Sequence, residues 1–381
     1  MVYFAPDFTE VATIARARAL LDRGFRPAVF AFRRSRYNHR FQAGWPEVDL
    51  GRTEDGRYAK RLVALIRALP KLWRHRRLLR DATVLYARNL DQLGLALAAR
   101  LFCRGPVAIV YEVLDIAPGL TNRGRLGRIM RSVERRLLRK VSLLAVSSPG
   151  FIRNFYGPVQ GYRGPTFLIE NKLYRATPTA HAAAPPRSIV EARRRYRWVV
   201  GYYGLLRGEE NFELITRLAQ RLSGQVLFYF RGVTTTVDAA RFQETIRRHD
   251  NMLYDGPYEN PDDLAEIYGA IDFAWTIDLE RSDSNARWLM PCRFYEAGAF
   301  GVPLLAARHF EVGDRVEALG VGWTFGPPYE DEMADFFARL TRADYERVLR
   351  RYAEVPRSTF VDGDDATELC RALARQSGQA A

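Results

Sequence analysis

Short apolar runs alternate with helical stretches along this chain, and the alternation runs through twice. In the first half the sequence predicts strands over 2–5, 26–32, 83–88, 107–111 and 143–147, with helices over 9–23, 92–102 and 125–140. In the second half it predicts strands over 198–203, 226–231, 252–255, 273–277 and 302–306. Helices over 211–222, 239–249 and 261–270 separate the first four of these strands, and two more follow the last, near 312–319 and 329–340. Apolar strands of this length between helices mean βαβ units and parallel sheets. A stretch rich in Pro and Ala, 174–189, lies between the two series, and 381 residues suit two domains of ordinary size. The expected division is a first domain over 1–177, a linker over 178–195, a second domain over 196–360 and a final segment, 361–381, whose helix spans about 364–375.

Charge divides at the same place. Residues 1–195 carry 37 Lys and Arg against 14 Asp and Glu, a net +23, while 196–381 carry 21 against 30, a net −9. A polycationic half calls for a polyanionic partner: a nucleic acid, an anionic bilayer or a phosphorylated acceptor. No aromatic platform or known nucleic-acid module accompanies the charge, so nucleic acid is not the expected partner. No run of 18 apolar residues spans a membrane, and no basic n-region precedes the apolar start, so no secretory signal is expected. Cys103, Cys292 and Cys370 share no metal-type spacing and suit a reducing compartment. Neither acidic pair, Asp262-Asp263 or Asp364-Asp365, has the Asp-x-Asp form at a strand end, and no metal is expected.

The candidate site starts from 285–303, a polar loop marked by Pro291 that feeds a short helix and closes on Gly301 and Pro303 before a strand. Free N–H groups and the dipole at a helix start attract anions. Arg293, expected just ahead of the helix, and Glu296 inside it suit a ligand with phosphate at one end and a ribose diol at the other. Further upstream, the strand from 198 runs through Gly204 to Arg207-Gly208. That turn lets backbone approach a diphosphate while Arg207 neutralises it.

The same segments resemble the donor-binding signatures of retaining GT-B glycosyltransferases of the family 4 type. The resemblance rests on Arg293, Glu296 and Gly301-Val302-Pro303, on Gly204 and Arg207, and on Gly256-Pro257-Tyr258 followed by Leu264 and Tyr268. It implies an α/β fold of GT-B type, two Rossmann-like domains whose parallel sheets face across a cleft. It further implies that Arg207 and Arg293 meet the donor diphosphate, that Glu296 holds the ribose, that Tyr258 lies against the base, and that Leu264 and Tyr268 pack. The family's first acid falls at Leu289 here, with Asn285, Arg287 and Trp288 around it, so the contact to the donor sugar is left open.

In the first half, Tyr111-Glu112-Val-Leu-Asp115 ends an apolar strand with two acids, where a sheet presents catalytic groups. Asp115 and Glu112 are the candidates to take a proton from an acceptor hydroxyl or to hold it. Asp7 and Arg16 lie at the same end by topology. The His that many family 4 enzymes carry in this region is absent. Two stretches, 60–80 and 123–140, interleave Leu, Ile and Trp with cations in the manner of helices that lie on anionic bilayers.

Taken with the resemblance, these features imply a bacterial enzyme, peripheral on the inner face of the cytoplasmic membrane. It would move a hexosyl or glycuronosyl group from a UDP- or GDP-type sugar to a hydroxyl of a lipid-linked or polysaccharide acceptor, without metal or other cofactor. The alternative is a non-catalytic GT-B-like protein that binds an anionic lipid or glycan.

Overall fold

A computed structural model of the chain describes residues 1–34, 41–53, 58–174, 177 and 184–378. The chain forms two compact units: Met1–Glu170 together with Gly363–Ala381, and Asn171–Asp362. The expected linker over 178–195 lies partly outside the described residues, and within it Arg187–Arg193 forms a helix.

Unit 1 is built on seven parallel strands: β1 (Val2–Ala5), β2 (Ala28–Arg33), β3 (Glu47–Arg52), β4 (Val84–Arg88), β5 (Ala108–Val113), β6 (Leu143–Val146) and β7 (Thr166–Leu168). Their order is β3-β2-β1-β4-β5-β6-β7. The central strands are buried along their whole length, as strands covered on both faces must be, and so they read as apolar runs, interrupted by Arg88 at the end of β4 and Glu112 in β5. The edge strand β3, Glu-Val-Asp-Leu-Gly-Arg, instead alternates exposed and buried residues. That wetted pattern hid it from a search for apolar runs. The last helix, Asp365–Ser377, returns to unit 1, where Leu369 and Leu373 are fully buried in the core with Tyr3 and Leu20.

Unit 2 has six parallel strands: β8 (Trp198–Leu206), β9 (Val226–Thr234), β10 (Met252–Tyr254), β11 (Phe273–Trp275), β12 (Leu304–Ala307) and β13 (Gly322–Phe325), ordered β10-β9-β8-β11-β12-β13. Asp272 fastens the amino ends of β8 and β11: its carboxylate accepts from the Val199 N–H at 2.8 Å and from Arg193 Nη2 at 2.5 Å. The core closes over an aromatic cluster in which Phe273 meets Trp198, Trp323, Phe337 and Tyr345.

Strand order reverses between β1 and β4 in unit 1 and between β8 and β11 in unit 2. At such a reversal successive connections leave the sheet on opposite sides, and a crevice opens outside the carboxyl ends. In unit 2 glycine shapes that edge. Gly204 and Gly232 face each other across β8 and β9 with φ of 92° and 133°, and a Cβ on Gly232 would stand 1.9 Å from the Gly204 carbonyl oxygen. Only glycine permits this approach of two strand ends.

Candidate active site

The helix expected beyond Pro291 spans Cys292–Ala299, so Arg293 lies inside its first turn and not ahead of it. Pro291 starts the helix, Gly301 (φ 68°) follows its end, and Gly298 lets it press against the ring of Phe360, which a Cβ would overlap at 2.1 Å. A further helical turn, Asn285–Trp288, precedes it, and Leu289, at the position of the missing acid, is buried.

Glu296 is buried and its carboxylate is held at both ends. Asn260 Nδ2 donates to Oε1 at 3.0 Å and the Tyr268 hydroxyl donates to Oε2 at 2.9 Å. Burial raises this carboxyl above its ordinary range, against the opposing pull of Tyr268, Asn260 and Arg293. Two oxygens offer about four acceptor positions, so two protein donors leave room for a vicinal diol. Tyr268 is therefore more than a packing residue: it stacks on Phe300 and also orients the acid.

Tyr258 stands beside these groups. A Cβ on Gly204 would lie 3.7 Å from its hydroxyl, and its ring meets Tyr203 edge-on at 6.4 Å. Burial, then the nearby Glu296 and Cys292, push its phenol well above the ordinary range. Arg293 donates from Nη1 to the Trp275 carbonyl at 3.2 Å and lies 4.7 Å from the centre of the Tyr202 ring. Among the described residues no carboxylate comes within ion-pair distance of it. The helix it begins also has no acid in its first turn. Positive charge here is open to an anion.

Arg207 is placed differently. Its Nε and Nη2 both donate to Asp278 Oδ2, at 2.9 and 2.7 Å, and Glu280 stands 3.7 Å away. The following helix, Glu209–Arg221, opens on Glu209 and Glu210. A neighbouring carboxylate thus already matches the charge that the sequence assigns to a diphosphate. Asn211 ties the two turns together, donating to the Arg207 carbonyl and accepting from the Leu279 N–H. Asn260 and Asp278 were not among the sequence candidates. Asp278 has a legible signal, an acid three residues beyond an apolar strand, whereas Asn260 between Glu259 and Pro261 has none.

At the corresponding edge of unit 1, Asp115 is exposed two residues past β5. Glu112, by contrast, is fully buried. Arg16 Nη2 lies 2.8 Å from its Oε1 and Arg88 Nε donates to its Oε2 at 2.9 Å. Burial alone would raise this carboxyl, but the two guanidinium groups overcome it and hold the group below the usual range. Arg88 is itself buried and donates further to the Ala12 carbonyl and to Thr13. In this setting Glu112 is the counter-ion of two arginines, enclosed away from any acceptor. Arg16 is drawn into the same group, and Asp7 is buried, accepting from the backbone N–H and the hydroxyl of Thr9.

Two parallel sheets, each with the Rossmann strand order through its first six strands, define a GT-B fold. No family model matches the chain. It is, however, 31% identical over 383 residues to the succinoglycan biosynthesis protein ExoL of Rhizobium meliloti (strain 1021), covering 100% of this chain and 94% of that protein. The chain belongs to that family and is a GT-B glycosyltransferase of polysaccharide biosynthesis. Solved structures agree in fold. Anabaena HepE in complex with UDP and glucose superposes with a TM-score of 0.69 at 17% identity, over 98% of this chain and 99% of that one. Sucrose-phosphate synthase of Thermosynechococcus elongatus gives 0.68 at 14%, over 98% of each chain. WaaG, a glycosyltransferase involved in lipopolysaccharide biosynthesis, gives 0.65 at 13%, over 99% of this chain and 100% of that one.

Proposed function

We propose that the protein transfers a hexosyl or glycuronosyl group from a UDP- or GDP-type sugar to a hydroxyl of a lipid-linked or polysaccharide acceptor, without a metal, at the cytoplasmic face of the membrane. The observation that carries the donor half is the convergence of Arg293, Glu296 and Tyr258 at the carboxyl edge of unit 2, beside the β8/β11 reversal. Arg293 and the acid-free helix start meet the diphosphate, whose charge grows as the glycosidic bond breaks. Glu296, aimed by Asn260 and Tyr268, accepts from the ribose hydroxyls, and Tyr258 flanks the base. Arg207 reaches the diphosphate only by sharing its guanidinium with Asp278. Asp115 addresses the acceptor hydroxyl. HepE structures that hold UDP, glucose and UDP-glucose support a nucleotide-sugar donor, and the name of ExoL supports a polysaccharide-type acceptor.

The membrane part of the reading rests on unit 1. Among the described residues no helix is long and apolar enough to cross a bilayer. Yet helices Tyr58–Arg74 and Arg125–Leu138 expose large apolar side chains at helical spacing, Leu62, Ile66 and Trp73 on one and Leu126, Ile129 and Val133 on the other. Helix Leu90–Ala99 packs against both. An apolar stripe flanked by Lys60, Arg67, Arg74, Arg128 and Arg136 suits an anionic leaflet, since the rings and aliphatic chains enter the interface while the cations meet headgroups.

Titration with UDP and GDP, wild type against Glu296→Ala, tests the donor half, and hydrolysis of a donor panel identifies the sugar. Binding of neither nucleotide by wild type sinks the proposal. A second reading, a non-catalytic GT-B-like protein that binds an anionic lipid or glycan, is favoured by buried Leu289 where an acid is expected. Nucleotide binding without turnover of any donor would select it.

A further inference from the structure

Arg231, near the end of β9, is about 8% exposed and holds the loop that carries Tyr258. Its Nη2 donates to the Pro257 carbonyl at 2.9 Å and its Nε to the Gly256 carbonyl at 3.2 Å, while Nη1 reaches the Tyr229 hydroxyl at 3.4 Å. The Gly232 N–H donates to the same Gly256 carbonyl at 2.9 Å. Past the tyrosine, the Glu259 N–H donates to Asp263 Oδ2 at 2.9 Å, and that same oxygen lies 3.9 Å from Arg231 Nη2. Backbone groups on both sides of Tyr258 are therefore clamped by one charge-linked group: Arg231 holds the carbonyls of 256 and 257, Asp263 holds the Glu259 N–H, and Glu266 stands 3.9 Å from Arg231 Nη1.

A buried guanidinium is a costly way to satisfy two carbonyls, because burial strips water from a permanent charge. What it supplies that a neutral donor or a lysine does not is a rigid planar fork that fixes two successive carbonyls at once. Fixing them sets the direction in which the chain presents residue 258. We infer that Arg231 is a positioning residue for the donor: it aims the Tyr258 ring at the nucleoside, and it does so without touching the ligand. The inference rests on the proposed place of Tyr258 against the base.

The test is Arg231→Lys, which keeps the charge and loses the fork. UDP and GDP are titrated, and steady-state kinetics follow with whichever donor is turned over. The inference expects nucleotide Kd and donor KM to rise about tenfold, the weight of about 1.4 kcal/mol, with kcat changed by less than about threefold. In a Tyr258→Ala background the same substitution then adds less than about twofold, because the group it positions is gone. Gly256→Ala supplies a second arm that leaves the buried charge in place. A Cβ there meets no atom within 4 Å, but φ is 76°, so the loop shifts without a core clash. It is expected to weaken nucleotide binding in the same sense.

Unchanged Kd in both variants, or an Arg231→Lys effect that persists in full without Tyr258, overturns the inference while leaving the donor site standing. A wild type that binds neither nucleotide removes the donor reading and the inference with it.

Discussion

The guanidinium of Arg207 places two nitrogens, Nε and Nη2, on a single oxygen of Asp278, at 2.9 and 2.7 Å. The pair links the end of β8 to the turn beyond β11, so it braces the edge on which the proposed donor site stands. Arg207→Met leaves the nearly buried Asp278 without its cation. The expected loss is about 2 kcal/mol of stability in unit 2, read as a lowered melting midpoint. Asp278→Asn removes the nearer of the two carboxylates beside the guanidinium while keeping a hydrogen-bond acceptor, and is expected to tighten UDP binding at low salt. Weaker UDP binding in Asp278→Asn would mean that the pair is the binding geometry itself.

The acid at 296 makes nucleotide binding depend on pH. Ribose hydroxyls donate, so the ionised carboxylate is the binding form, and burial has raised the pH at which it forms. Affinity for UDP is therefore expected to climb as pH rises through a window above the ordinary carboxylate range. Glu296→Gln is expected to bind weakly and to lose that slope, once the titration of the nucleotide phosphates, common to both proteins, is subtracted. Parallel pH profiles for the two proteins would take the ribose contact away from Glu296.

Cys292 opens the helix that holds Arg293, and its thiol is exposed and near Tyr258. Alkylation by N-ethylmaleimide is expected to abolish UDP binding, and saturating UDP to slow the alkylation about tenfold by covering the thiol. Cys103, half-buried in unit 1, and Cys370, buried there, serve as the internal comparison. Alkylation of Cys292 at an equal rate with and without UDP would place the nucleotide elsewhere.

The basic helix Arg125–Leu138 carries on its buried face a fully buried acid, Glu134. Tyr111 and Tyr156 donate to its Oε1 at 2.8 and 3.2 Å, and Gln160 donates to its Oε2 at 2.5 Å. Burial pushes this carboxyl up to about 7. The folded chain then holds a proton between about 4.5 and 7 that the unfolded chain has released. Stability contributed by Glu134 is thus fully present at the acid end of that window and declines as pH rises through 7. Glu134→Gln is expected to flatten this part of the curve. The now donating amide finds an acceptor in the otherwise unpartnered Gln160 Oε1 once that side chain turns over. Melting midpoints from pH 5 to 8.5 decide it, and an unchanged slope in the variant would assign the dependence to other groups.

Replacing Leu62, Ile66 and Trp73 together by Gln is expected to reduce binding to phosphatidylglycerol vesicles about 100-fold, since each apolar side chain withheld from the interface forfeits about 1 kcal/mol or more. The circular dichroism of the protein should be unchanged, because these side chains are exposed. Vesicle sedimentation that is indifferent to the substitutions would remove the membrane surface from unit 1.

Much of this architecture was legible because buried parallel strands announce themselves. The runs at 2–5, 84–87 and 198–203 are apolar without interruption, and the helices between them have clear ends. The edge strands β3 and β13 escaped because one side of an edge is wet or the run is too short to stand out, as in Gly322–Phe325. Helix Arg342–Tyr352, with its Thr341 cap, is so polar that only Tyr345 is buried, and it left no apolar period to find. At the candidate site the acid and the basic residue of the short helix could be read from their order along the chain. Pairing could not. Nothing local in the sequence says that Arg207 spends its charge on Asp278, 71 residues away, or that Glu112 is enclosed by Arg16 and Arg88. Such partners are chosen by strand register, which brings Arg88 directly opposite Glu112 on neighbouring strands.

The return of helix Asp365–Ser377 to unit 1 bears on how the chain is made. Arg23 donates to Thr367 at 2.9 Å, and the core of unit 1 includes Leu369 and Leu373, yet all of unit 2 is synthesised between those partners. The unit that leaves the ribosome first is therefore completed last. Until residues 363 onward emerge, the nascent chain carries a seven-stranded sheet with an uncovered apolar strip. A translation arrest or truncation anywhere in unit 2 would strand unit 1 unfinished, however well its own first 170 residues had folded.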